Sequence, residues 1–425
     1  MKNKIRLDKS LFESLFSLGL AQFFNYLSPL ISFPLLLSEF GVEKYGIIST
    51  AFVLALLFCS LADFGFNISG VKFIAQNKEK KDVIFSSIFF LKSVLTIILL
   101  LVFYFIIDYN ESYRDYKIIF VYSSGMILAR ILNVDWFFQG KEKMRFIAIT
   151  NLIANTIYVV GIIIIIKINL DFKYVTLFKS SGVITAGLVS MLCAVFFFNI
   201  KFEFKLKEIS YYLKEGSSVF ISTIASNIFQ NTPVLIVKML FPYEIVGVYS
   251  SIEKLVSFGK QMVMIINQVF HPRLAIYFVM NFNKFIQLWK KSSLLSLFAG
   301  ISVVIFLFLL KDLIFGYFSE LKEFDFANPL YFLMSFLIIT YTILNALGLN
   351  GLLVINKTRN LALSQVYPLV LYITISIVLI VIKIENVLLI VFTLLMVDLL
   401  IISIRIFMFK SGIKEHHRRE TLNQK

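Results

Sequence analysis

The chain has 425 residues, 59% hydrophobic and 16% charged, with a formal net charge of +15. Hydrophobicity that extends along the whole length excludes a soluble enzyme and marks a polytopic membrane protein. The lysines gather in alternate loops, the pattern of membrane orientation, so no nucleic acid is expected as a partner.

The basic segment Met1 to Ser10 leads into an apolar stretch reaching about Leu37 with no small-residue cleavage site, which predicts a retained first helix rather than a signal peptide. Apolar windows of about 20 residues, the length a helix needs to cross a bilayer, number twelve. The first six lie near 15–37, 45–64, 83–107, 117–139, 146–167 and 174–200. The second six lie near 216–240, 245–270, 291–316, 328–354, 361–382 and 386–409. Cys59 and Cys193 sit in apolar runs, and His271, His416 and His417 lack metal-ligand spacing, so neither a disulfide framework nor a metal site is expected.

With the amino terminus placed in the cytoplasm, 27 of the 41 Lys and Arg residues fall inside, ten outside and four within spans. The bias predicts twelve spans with both termini cytoplasmic. The external loops are short, around Asp108–Asp115 and Tyr317–Asn328, and leave no domain to hold an active site. The basic stretch Lys201–Lys214 divides the chain nearly in half. It predicts a six-helix bundle over residues 1–200, a cytoplasmic linker over 201–214, and a second six-helix bundle with a short basic tail over 215–425. A weak repeat agrees: Asn25, Pro29, Gly41, Tyr45 and Gly46 in one half answer Asn231, Pro233, Gly247 and Tyr249 in the other.

The eighth span is too polar for its length. At about 100° per residue, Ser250, Glu253, Lys254, Ser257, Lys260, Gln261, Asn267, Gln268 and His271 share an arc of roughly 140°. A basic group at the bilayer centre costs about 2.5–3.5 kcal/mol, so this stripe is expected to face protein or water and to line a wet, cationic cavity. Lys92 in the third span and Arg130 in the fourth add positive charge at depth. Such cations suit an anion, since Arg and Lys bind phosphate through charge-assisted hydrogen bonds; the alternative is pairing with acids on neighbouring helices. Asp398 shares a face with Arg405 and is expected to pair with it. Asn227 and Asn231 in the seventh span and Gln22 and Asn25 in the first either bind helices together or meet sugar hydroxyls. Trp136 and Tyr122 are expected as interfacial anchors.

Gln22-Phe23-Phe24-Asn25 with Pro29 and Pro34, Gly41 with Tyr45-Gly46, Ala62-Asp63-Phe64-Gly65-Phe66, and Trp136-Phe137-Phe138-Gln139-Gly140 with Met144-Arg145 form an ordered series of landmarks. Val246-Gly247-Val248-Tyr249, Glu253-Lys254-Leu255 and Pro272 extend it into the second half. On these the chain resembles the Wzx-type polysaccharide flippases, the O-antigen or repeat-unit transporters of the multidrug/oligosaccharidyl-lipid/polysaccharide (MOP) superfamily.

The resemblance implies an all-α MATE-like fold, two six-helix bundles around a central cavity in the bacterial inner membrane. It also implies transport of undecaprenyl-pyrophosphate-linked oligosaccharide from the inner to the outer leaflet, for O-antigen, capsule or exopolysaccharide assembly, alongside a glycan polymerase of the same pathway. No catalytic residue or resident cofactor is expected; Glu253 and Asp63 are the candidates for coupling to protons or sodium. Two rivals remain. A drug exporter of the same superfamily would need an acid-dominated cavity, and a membrane glycan polymerase or ligase would need a large external loop.

Overall fold

The computed structural model describes the backbone of residues 9–423 and, with few exceptions, the side chains from Asn25 to Glu415. The described chain is helical, with no strands. α1 (Lys9–Asp63) is followed by α2 (Phe66–Gln76), α3 (Lys81–Tyr109), α4 (Glu111–Arg114), α5 (Lys117–Leu132), α6 (Asp135–Gly140), α7 (Met144–Lys167), α8 (Tyr174–Phe198) and α9 (Leu206–Leu240). Then come α10 (Tyr243–Met280), α11 (Phe282–Leu309), α12 (Lys311–Tyr317), α13 (Ala327–Leu347), α14 (Thr358–Ile382) and α15 (Leu388–Asn423). A π-helical turn, Gly348–Leu353, continues α13.

Ten helices among the described residues are long and apolar enough to cross a membrane. One of them, Leu27–Gln76, carries two expected spans, because α1 breaks direction at Gly41, whose φ of 78° and ψ of 172° lie outside the helix region. α9 covers the expected seventh span; several of its side chains lie outside the described residues, and it is not among the ten. The protein is therefore an all-α polytopic membrane protein, and twelve crossings are consistent with it.

Several expected spans differ in detail. The fourth is two helices, because Asn133 leaves the helix with ψ of 116° and its side chain bonds Asp135, competing with the backbone ladder. The eighth does not end near 270: α10 runs through Pro272 to Met280. The tenth ends in the π turn rather than in regular α-helix.

Contacts divide the chain into two compact units, Met1–Leu235 and Ile236–Lys425. The stretch expected as a linker is extended only over 201–205 and helical from Leu206. Its extended part lies along α3. The Lys201 and Glu203 amides donate to Asp82 Oδ1 at 3.0 Å and Ser86 Oγ at 2.8 Å, and Phe202 packs on Phe85 and Phe89.

Small residues let helices approach within the first unit, the usual device where lipid removes the hydrophobic drive. A Cβ at Gly161 would lie 2.3 Å from Phe178 on α8, and one at Gly182 would lie 2.5 Å from the Ala154 carbonyl on α7. Trp136 is not an interfacial anchor: it is 1% exposed, in a cluster with Phe66, Phe85 and Phe137, and packs so tightly on α2 that a Cβ at Gly70 would lie 2.8 Å from its ring. In the second unit Gly259 of α10 is closed over by Ile338 of α13 and Val303 of α11. Phe282, Phe285, Leu352 and Phe409 form the core at one end of that unit. Leu101, Phe105, Phe196, Phe197 and Ile305 are exposed, as lipid-facing residues of a membrane protein are.

The turn after α1 constrains the first unit most tightly. Gly65 has φ of 71°, and a Cβ there would lie 2.9 Å from the backbone nitrogen of Phe220. Gly65→Ala therefore combines left-handed strain of about 1–2 kcal/mol with a backbone clash. It should lower the melting temperature of the detergent-solubilised protein by several degrees, measured by differential scanning fluorimetry; an unchanged melting curve would contradict the packing described.

Candidate functional site

The deep charges of the first unit converge on Asp63. Asp63 ends α1, where the helix macrodipole disfavours a carboxylate, and two cations offset that: Lys92 Nζ of α3 at 3.0 Å and Arg130 Nη1 of α5 at 3.3 Å. Lys92 is 1% exposed and also donates to the Asn133 carbonyl at 3.2 Å. Asn133 Nδ2 in turn donates to Asp135 Oδ2 at 2.9 Å, and the Val134 amide donates to Ser190 Oγ of α8 at 3.4 Å. The cluster is thus a chain of acid, base, amide and acid held by α1, α3, α5, α6 and α8. Arg130 is its open end, with 23% of the side chain exposed. Lys92 is fully committed to protein groups.

The stripe of the second unit is real and lies on one flank of α10. Its one edge, at Asn267 and Lys260, continues into the buried face made by Ile252, Val256 and Val263. Its other edge carries Lys254, whose side chain is 42% exposed and stands 3.6 Å from Glu253. The apolar side of α10 is divided: Ile252 and Val263 pack inside, while Met262, Ile265 and Val269 are exposed. Lys260 Nζ lies 6.0 Å from the centre of the Tyr341 ring, a cation–π distance. The Gln261 Oε1 is buried with no hydrogen-bond partner among the described residues, an amide oxygen ready to accept.

The remaining amides are placed less centrally. Asn25 Oδ1 accepts from Asn155 Nδ2 at 3.0 Å, tying α1 to α7. Asn231 Nδ2 donates to the Asn227 carbonyl at 2.8 Å along α9, and both residues are half-buried. The side chain of Gln22 lies outside the described residues.

Arg405, expected beside Asp398, is more deeply enclosed than its place near the end of an apolar run suggests. It is 5% exposed. The expected pairing with Asp398 does not form: Arg405 donates from Nη1 to the Leu344 carbonyl at 2.6 Å and from Nε to Ser364 Oγ at 3.1 Å, whereas Asp398 accepts from Thr340. Asn155 and Asn350 were silent and Asn267 was read only as part of the stripe, since an amide in an apolar run gives no sign of its partner. Among the described residues no group of His, Cys, Asp and Glu could hold a metal ion.

The model of the family described as "Polysaccharide biosynthesis protein" matches residues 11–278, well over half of the chain. The chain belongs to that family. The match contains both clusters' main residues, from Asp63 to His271. A relative from Escherichia coli K12, named "Putative O-antigen transporter", is 27% identical over 296 residues, covering 68% of this chain and 71% of that protein. Among solved structures, an inward-facing MATE-family multidrug resistance transporter of the MOP superfamily superposes with a TM-score of 0.68 at 11% identity, over 94% of this chain and 96% of the other. The lipid II flippase MurJ in an inward closed conformation gives 0.67 at 15% identity, over 92% and 87%. At such identities the likeness is one of fold, and the fold of this polysaccharide biosynthesis protein is that of the MOP superfamily.

Removing one partner from a buried ion pair leaves an uncompensated charge and costs about 3–5 kcal/mol. Asp63→Asn should therefore cut the yield and melting temperature of the detergent-solubilised protein sharply. Asp63→Asn with Lys92→Met should recover much of the loss, since neither charge remains at the shared contact. Equal melting of Asp63→Asn and the parent would show that the cluster does not hold the unit together.

Proposed function

We propose that this protein is a flippase for lipid-linked glycans, a transporter and not an enzyme. Its substrate is undecaprenyl-pyrophosphate-linked oligosaccharide, carried from the inner to the outer leaflet of the bacterial inner membrane by alternating access. The observation that carries the reading is the half-buried cationic flank of α10, Lys254 and Lys260 with Gln261 between them in angle, in a member of a polysaccharide biosynthesis family. A pyrophosphate needs cations with free donors, and a glycan needs amides; α10 offers both on one stripe, while the lipid tail can remain in the bilayer.

In this reading Lys254 and Lys260 take the pyrophosphate, Arg130 contributes from its exposed end, and Gln261, Asn227, Asn231, Gln22 and Asn25 meet sugar hydroxyls. Lys92 acts through Asp63, which it fixes. Asp63 and Glu253 are the acids through which protons or sodium would couple to transport: each stands beside a base, so binding of an ion at the acid releases that base toward an anion. A glycan polymerase receiving the product on the outer leaflet and both termini in the cytoplasm complete the proposal. The Escherichia coli relative, named for O-antigen transport, and MurJ, named a lipid II flippase, support it.

Lys254→Ala with Lys260→Ala should reduce glycan export in a complementation assay at least tenfold with protein levels unchanged, and normal export would refute the cationic role. In proteoliposomes, imposing a proton or sodium gradient should change the flipping rate, and the change should vanish in Asp63→Asn or Glu253→Gln. Flipping indifferent to both gradients would remove the two acids from the mechanism.

A further inference from the structure

The π turn after α13 is tied to α10 by a buried amide. Asn350, in the middle of Gly348–Leu353, is 1% exposed, and its Nδ2 donates to Asn267 Oδ1 at 3.0 Å and to the Asn267 carbonyl at 3.3 Å. Asn350 Oδ1 lies 3.3 Å from His271 Nδ1, which donates to it, since the Asn350 amide nitrogen is spent on Asn267. Ser296 Oγ of α11 donates to the same Asn267 oxygen at 3.2 Å. The turn itself is seated by Arg405. The Leu344 carbonyl accepts both the Gly348 amide and Arg405 Nη1, and a Cβ at 348 would lie 2.6 Å from that nitrogen, so a larger residue there would displace the guanidinium.

This arrangement bears on the stripe. Asn267 follows Lys260 by seven residues, two turns of helix, and so sits about 20° from it around the axis and about 10 Å along it. At the other side of Lys260, Gly259 is closed over by Ile338 and Val303. Lys260 is therefore held between a close-packed point and a hydrogen-bonded one. Only the second depends on a non-regular turn: an ordinary α-register through 348–353 would turn Asn350 about the helix axis and draw its amide away from α10.

We infer that Asn350 is a positioning residue, and that the π turn, seated by Arg405 and Gly348, is a clamp fixing the rotation of α10 so that the Lys254–Lys260 flank faces its substrate side. The clamp stands on the geometry within the second unit; its consequence for transport rests on the flippase reading above.

The test separates the two. In the full-length chain in membranes, with Cys59 and Cys193 replaced by alanine, Lys260→Cys and Tyr341→Cys are joined by a short, membrane-permeant bis-methanethiosulfonate at a pH that ionises the thiols, a readout that does not depend on transport. The parent pair should cross-link efficiently, and Asn350→Leu should reduce the yield at least fivefold at equal protein level. Asn267→Leu, which breaks the same contact from α10, and Gly348→Ala, which displaces Arg405, should do the same, so that failure of one variant to fold leaves the others decisive. A parent pair that does not cross-link, or yields within twofold of the parent in the folded variants, would overturn the clamp. Export is then measured for Asn350→Leu in the otherwise native chain. A moved cross-link with export lost at normal protein level supports the whole inference. A moved cross-link with export unchanged leaves the clamp standing and sinks the cationic-wall reading.

Discussion

Asp63 is one carboxylate accepting two cations inside a membrane protein, and much of the first unit is arranged to permit it. In hydrocarbon no water completes the hydration of an ion, so every charge must find protein partners. Asp63 brings the end of α1 to α3 and α5; Lys92 carries the constraint to Asn133, and Asn133 breaks the expected fourth span so that Asp135 and the Val134 amide can enter the same network. The glycine-rich approaches and the aromatic cluster around Trp136 close the apolar space beside it. The second unit meets the same constraint with fewer ions. Arg405 is satisfied by a carbonyl and a hydroxyl, Asp398 by a threonine, and the amides Asn267 and Asn350 by one another.

This contrast explains which side chains stay open. A cation tied to a carboxylate at 3.0 Å, as Lys92 is, cannot leave without stranding the acid. Lys254 stands 3.6 Å from Glu253 with 42% of its side chain exposed, a longer and looser pairing. Lys260 has an aromatic ring instead of an acid as its contact. On the flippase reading, the charges left to meet a ligand are those of α10, with Arg130 the partial exception in the first unit.

Much of this was legible before any coordinates. Hydrophobic length gave the spans, because a bilayer sets a minimum helix length that few soluble segments reach, and the excess of polar residues in α10 was visible as a 100° periodicity. What stayed hidden was partnership. Asp63, Lys92 and Arg130 were each recognisable as costly in a span, but nothing local says that three helices bring them to one point. Arg405 read as a loop charge because its position near the end of an apolar run is where such charges collect. The π turn was invisible for a related reason: Gly348-Leu349-Asn350-Gly351 reads as a helix tail, and its widening follows from Arg405 and Asn267, which are far away in sequence. Trp136 was misplaced because tryptophan is common at interfaces, while the phenylalanines that enclose it come from α2, α3 and α6.

The chain has two tryptophans, and the structure puts one in each unit. Trp136 is enclosed by apolar rings, and its Nε1 finds no hydrogen-bond partner among the described residues. Trp289 donates from Nε1 to the Ala346 carbonyl at 2.9 Å, two residues before the π turn, and stacks near Phe409 of α15. The two indoles thus differ in polarity and in what they touch, and replacing either by phenylalanine leaves a protein whose tryptophan emission comes from one unit alone. The molecule carries its own pair of optical reporters, the second placed where a rearrangement at the joint of α13 would change the hydrogen bond to the fluorophore.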